Sequence, residues 1–132
     1  RYVKAHKDLF SRLLSKPVKL TTFDITIDHL QGEEGVLKHD CTLPLPNTPY
    51  DITYAHVLLK FIEKNKHLDL LMSSYEALND GGVAIHLLDK EDYSGDNAPV
   101  SLQNLKDELK NKQINFEEVP VEYGVALVLI KP

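Results

Sequence analysis

Residues 36–59 read VLKHDCTLPLPNTPYDITYAHVLL, and residues 77–88 read ALNDGGVAIHLL. An apolar segment ends in an acid, Asp40, and runs into a loop punctuated by Pro44, Pro46 and Pro49. Tyr50-Asp51 then opens a strand begun by Ile52 and Tyr54, which is expected to pass quickly into a helix. Ala55, Leu58, Leu59 and Ile62 fall at i, i+3, i+4 and i+7, the spacing of one helical face. Leu68, Leu71, Met72, Tyr75 and Leu78 repeat that spacing in a second helix. Asn79-Asp80-Gly81-Gly82 is expected to stop it, with glycine as the left-handed C-cap. VAIHLL at 83–88 is an almost continuous apolar run, the signature of a strand covered on both faces. Strand and helix signals that alternate in this way define a layered α/β sheet.

Outward from this block, Val3, Phe10, Leu13 and Leu14 predict an amphipathic helix over 2–15, stopped by Lys16-Pro17. VKLTTFDI at 18–25 reads as a strand, followed by a weak helix or loop up to Gly32–Gly35, and Val36 to Lys38 as another short strand. Residues 89–99 are polar and predict a surface loop. Leu102, Leu105 and Leu109 mark a third helix with Ser101 as its N-cap. INFEEV at 114–119 and VALVLI at 125–130 predict an antiparallel hairpin across Pro120 and Tyr123-Gly124. The expectation is a single α/β domain over 1–132: a mainly parallel sheet flanked by helices, with a C-terminal antiparallel β-hairpin.

Composition narrows the function classes. The chain has 132 residues, 42% hydrophobic and 27% charged, enough for a core without metal or disulfide staples. Its formal net charge of −5 argues against general nucleic-acid binding, which needs a basic excess. The lysines at 60, 64 and 66 read as the solvated face of a helix. The one cysteine, Cys41, has no internal disulfide partner and fits a reducing, cytoplasmic setting. No apolar run approaches the ~20 residues of a membrane span, so no membrane partner is expected.

The order of these features resembles the class I S-adenosylmethionine (SAM) dependent methyltransferases, a Rossmann-like family. LTTFDIT resembles the family's second strand, whose terminal acid binds the cofactor ribose; this nominates Asp24, with Asp28 as rival if the strand runs on through ITID. HDCTLPLP resembles the acid and Leu-Pro loop after the third strand. The resemblance implies that Asp40 accepts from the adenine amino group and that the Cys41 amide meets the ring. Tyr50-Asp51-Ile52-Thr53-Tyr54-Ala55-His56 resembles the fourth strand and its substrate-facing turn, which makes His56 the candidate catalytic residue. ALNDGG resembles the turn before the fifth strand. The family's Gly-x-Gly loop is absent from the sequence, and residues 1–16 look like the helix that follows it. By resemblance, then, the domain is N-terminally truncated, and the enzymatic reading requires that motif upstream of Arg1.

The implied activity is methyl transfer from SAM to a small-molecule or protein acceptor. The alternative is a non-catalytic binding or assembly module that has lost the cofactor site; a different nucleotide-binding Rossmann-like protein is a third reading. Ordinary roles compete at each position. Asp24 and Asp40 also suit turn-capping aspartates, Asp51 suits a strand-opening residue, and His86, inside an apolar strand, suits the core. His39, Asp40 and Cys41 are contiguous, but strand neighbours point to opposite faces and no HExxH or CxxC completes a shell, so no metal is expected. Cys41 has no identifiable base partner and reads as a structural thiol.

Two arrangements follow. Asp24 and Asp40 should lie at the carboxyl ends of adjacent parallel strands facing one crevice. Residues 18–25 and 50–55 should pair directly or have the space between them filled by an upstream strand or a partner chain, as in a homodimer, because buried unpaired backbone groups cost ~1–3 kcal/mol each.

Overall fold

A computed structural model describes residues 22–24, 36–38, 41–46 and 48–132. The chain divides into two units, Arg1–Cys41 and Thr42–Pro132. In the first, β1 (Thr22–Asp24) and β2 (Val36–Lys38) pair in parallel, with Thr22 opposite Val36 and Asp24 opposite Lys38. The helix expected over 2–15, and Asp28, His39 and Asp40, lie outside the described residues.

The second unit is a four-stranded sheet in the order β3-β4-β6-β5, where β3 is Tyr50–His56, β4 Leu78–Asp89, β5 Asn115–Val121 and β6 Gly124–Ile130. β3 and β4 are parallel, and the crossover between them is α1 (His67–Glu76), as a parallel pair requires. β6 lies antiparallel to β4 and to β5. The expectation of a mainly parallel sheet is therefore corrected: this sheet is mixed. The cause is local. Only Glu122 and Tyr123 separate β5 from β6, a connection that can make only a hairpin, and β6 then inserts between β4 and β5.

The core lies under one face. Ala84, His86 and Leu88 of β4 and Val125, Leu127 and Leu129 of β6 are buried there. Leu70 and Leu71 of α1 are buried against β4, and Leu102, Leu105 and Leu109, the helical stripe of α3 (Leu102–Asn111), are buried where that helix packs on α1 and β5. The opposite face of β4, at Val83, Ile85 and Leu87, is half-buried, so the strand is not equally covered on both sides as its composition predicts.

Four local expectations change. The strand over 50–56 runs on to His56, so no α-helix begins at Ala55; 3-10 turns at Leu59–Phe61 and Lys64–Lys66 precede α1. The i, i+3, i+4 spacing there reflects alternate burial along the strand followed by one tight turn that buries Leu59. The helix before the glycines ends at Ala77 in a right-handed conformation, and the strand begins at Leu78. Gly81 does hold a left-handed φ of +82°, but inside the irregular start of β4, where its N–H donates to the Lys131 carbonyl at 2.8 Å. A Cβ at Gly82 would meet the Asp51 and Asn79 carbonyl oxygens at 2.9 Å, so glycine lets the two strands approach. Ser101 occupies the N-cap position of α3, but its side chain makes no capping bond. The loop expected over 89–99 opens with a single helical turn, α2 (Lys90–Tyr93).

Candidate functional site

Ligands of open α/β sheets bind outside the carboxyl ends of parallel strands, and the described residues include two such ends. In the first unit Asp24 is the last residue of β1, level with Lys38 at the end of the adjacent parallel β2. The strands that carry Asp24 and lead to Asp40 are thus adjacent and parallel, as expected; Asp40 itself lies outside the described residues. Cys41 is half-buried at the start of the turn that leads into the proline loop.

In the second unit the parallel pair ends at His56 and Asp89. His56 is exposed, and its ring stacks on that of Tyr54, with centroids 6.4 Å apart and planes 16° from parallel. The two share a face because they are two residues apart on one strand. Partial burial raises the Tyr54 pKa above its ordinary value, so the phenol remains protonated. Val57 follows with φ +54°, a left-handed conformation that β-branched residues rarely adopt, held by its N–H bond to the Leu87 carbonyl at 3.0 Å. The chain thereby turns sharply off the sheet as it leaves His56.

Asp51 sits at the opposite, amino end of β3 and accepts from the Asn79 side chain at 3.0 Å. His86 is buried, as expected of a core histidine. Ser74 has one hydroxyl proton, and the Leu71 carbonyl 2.7 Å away can only accept it. His86 Nε2–H therefore donates to Ser74 Oγ at 2.9 Å, leaving Nδ1 as an acceptor with no partner. Burial pushes the His86 pKa down to about 4. No group of three or more potential metal ligands occurs among the described residues.

Sequence reasoning missed three features at this end of the molecule. Asp92 of α2 is buried, with Oδ2 3.7 Å from Lys60 Nζ, joining the segments that leave β3 and β4. His67 is buried at the start of α1 and donates from Nε2 to the Ile62 carbonyl at 2.8 Å. A groove of about 960 Å³ opens beside Asp89, between α2 and the β5–β6 turn. The lone polar residues gave no periodic signal; the exposed Tyr123 beside a glycine was the one cue to the groove.

No protein-family model matches the chain, and no curated protein matches it by sequence. Its fold does match solved structures. The plantazolicin methyltransferase BpumL, in complex with a desmethyl-plantazolicin analogue and SAH, aligns at TM-score 0.63 and 12% identity, over 94% of this chain and 71% of that one. The N-methyltransferase NodS from Bradyrhizobium japonicum WM9, with S-adenosyl-L-homocysteine, aligns at 0.61 and 12%, over 97% and 74%. A pericyclic reaction enzyme aligns at 0.61 and 12%, over 96% of this chain, which spans 39% of its length. The likeness establishes a Rossmann-like α/β fold. Among the described residues, no helix is long and apolar enough to cross a membrane.

Proposed function

We propose that this chain is a SAM-dependent methyltransferase domain that transfers a methyl group to a small-molecule or protein acceptor. The observation that carries the reading is the fold match over nearly the whole chain to methyltransferases solved with the demethylated cofactor. The parallel β1–β2 pair supports it, because it sets Asp24 at a strand's carboxyl end, where a carboxylate can accept from both ribose hydroxyls. Asp40 would accept from the adenine amino group, with the Cys41 amide at the ring. SAM supplies the electrophilic methyl group; the chain's task is to bind and orient. Catalysis then rests on positioning, with His56, exposed at the end of β3, as the acceptor-facing candidate.

The test is calorimetry with SAM on this 132-residue chain. Weak, saturable binding is expected, with Kd well above about 1 μM, because the sequence contains no Gly-x-Gly loop to bring backbone close to the ligand. Asp24→Asn should weaken it about tenfold or more, the loss of a charged hydrogen-bond acceptor. Binding that ignores Asp24→Asn overturns the assignment.

A second reading, a binding or assembly module without cofactor, draws on the match to the pericyclic reaction enzyme, since one fold hosts several activities. It is favoured if millimolar SAM gives no heat. A homodimer or partner chain that completes the sheet beside β3 belongs to this reading, and sedimentation of the chain tests it.

A further inference from the structure

The groove beside Asp89 has a composition that none of the sequence motifs anticipates. One wall is α2, with Glu91 and Tyr93; the other is the β5–β6 turn, with Val121, Glu122 and Tyr123; Asp89, the last residue of β4, also lines it. It opens at the carboxyl edge of the parallel β3–β4 pair. Three acidic residues, Asp89, Glu91 and Glu122, and one basic residue, Lys90, line it. Tyr123 is 73% exposed, a large aromatic held in water at the rim.

The frame is rigid. The Lys90 N–H donates to the Tyr123 carbonyl at 2.8 Å, tying the turn to α2. Gly124 packs its backbone on the Leu88 carbonyl so closely that no Cβ fits, which fixes the tip against the end of β4. Behind α2, the Asp92 carbonyl accepts from the Val100 N–H at 3.0 Å, and its buried carboxylate lies 3.7 Å from Lys60 Nζ.

We propose that this groove binds the cationic, amine-bearing end of a small molecule, which, resting on the methyltransferase reading, is the methyl acceptor. Carboxylates attract an ammonium, and tyrosine ring faces add cation–π attraction. The same charges repel phosphates and carboxylates. The volume lies at the upper end of the roughly 300–1,000 Å³ typical of small-ligand sites.

The experiment titrates the full chain with benzylamine, with benzyl alcohol as neutral twin and benzoate as anionic twin, and follows the Tyr93 and Tyr123 ring resonances by NMR. Benzylamine should bind about tenfold or more tighter than either twin, with its affinity falling as salt rises. The double variant Glu91→Gln/Glu122→Gln, and separately Tyr123→Ala, should each weaken it several-fold without moving the melting temperature, since all three side chains are exposed. Glu122→Lys should abolish it. Benzylamine binding no tighter than benzyl alcohol, or unchanged in the variants, overturns the assignment. SAM calorimetry separates the two proposals: amine preference without SAM binding sinks the methyltransferase reading alone, and SAM binding without amine preference sinks the groove alone.

Discussion

The two faces of the β3–β4–β6 sheet carry similar residues in different surroundings. On one face Thr53, Ala84, His86, Leu127 and Leu129 lie under helix and are tied to it: Thr53 Oγ1 donates to the Ser74 carbonyl at 3.1 Å, and His86 donates to the Ser74 hydroxyl. On the other face Tyr54, His56, Ile85, Leu87 and Val128 alternate with them, half-buried or exposed. A run such as VALVLI cannot reveal this difference, because hydrophobicity is alike at successive positions. Burial comes from what packs on each side.

The largest test compares neighbours in β6. Leu127 is 0% exposed, and Leu127→Ala should cost about 2–5 kcal/mol through lost burial and the cavity left behind. Val128, next in sequence and on the opposite face, is half-buried, and Val128→Ala should cost about 1 kcal/mol, since fewer of its methyl contacts exclude water. Urea unfolding of both variants measures the contrast. Equal losses would mean that the faces are equally packed and the distinction is wrong.

A pH series sharpens the same comparison. His86 is neutral in the folded chain and its pKa is lowered to about 4, whereas an unfolded histidine titrates near 6.5. Below about pH 6.5 the unfolded chain takes up a proton that the folded chain refuses until about pH 4. Stability is therefore complete above 6.5 and falls between the two values, by about 3 kcal/mol at most. The proton has only Nδ1 to occupy, in surroundings that offer it no acceptor. His86→Leu should flatten this part of the stability–pH curve. A histidine variant whose curve retains the full drop would assign acid lability to the carboxylates instead.

Which parts of this architecture were legible in the sequence follows from the same physics. The β5–β6 hairpin was, because two apolar runs with a short polar break at Glu122-Tyr123 permit one local solution. α3 was, because Leu102, Leu105 and Leu109 leave a single buried stripe on a polar helix. The parallel β1–β2 pair was expected from the family resemblance, in which each acid follows an apolar strand, rather than from any period in the residues. The mixed sheet was not legible, because the position of β6 between β4 and β5 is a long-range choice. The extension of β3 to His56 was missed because Ala55, Leu58, Leu59 and Ile62 satisfy a helical period that pairing with β4 overrides. Of the candidate site, only types and order could be read. Asp92 meeting Lys60, and the groove framed by α2, depend on loops whose geometry no periodicity encodes.

The smallest expected effect makes the sharpest comparison, because it uses the same residue type on the other face. His56 is opposite Leu87, one position along from the Ala55–His86 pair, and its ring stands exposed against Tyr54. Removing it leaves no buried partner unsatisfied and no cavity, so His56→Ala should change stability by less than about 0.5 kcal/mol. The turn that follows is held by the backbone bond of Val57 to Leu87, which does not involve the imidazole. If His56 faces the acceptor, the variant should alter turnover with a chosen acceptor while leaving SAM binding and the melting temperature in place. A loss above about 1 kcal/mol in urea would show that the ring is part of the packing, and that the exposed end of β3 is a structural surface rather than a place for a ligand.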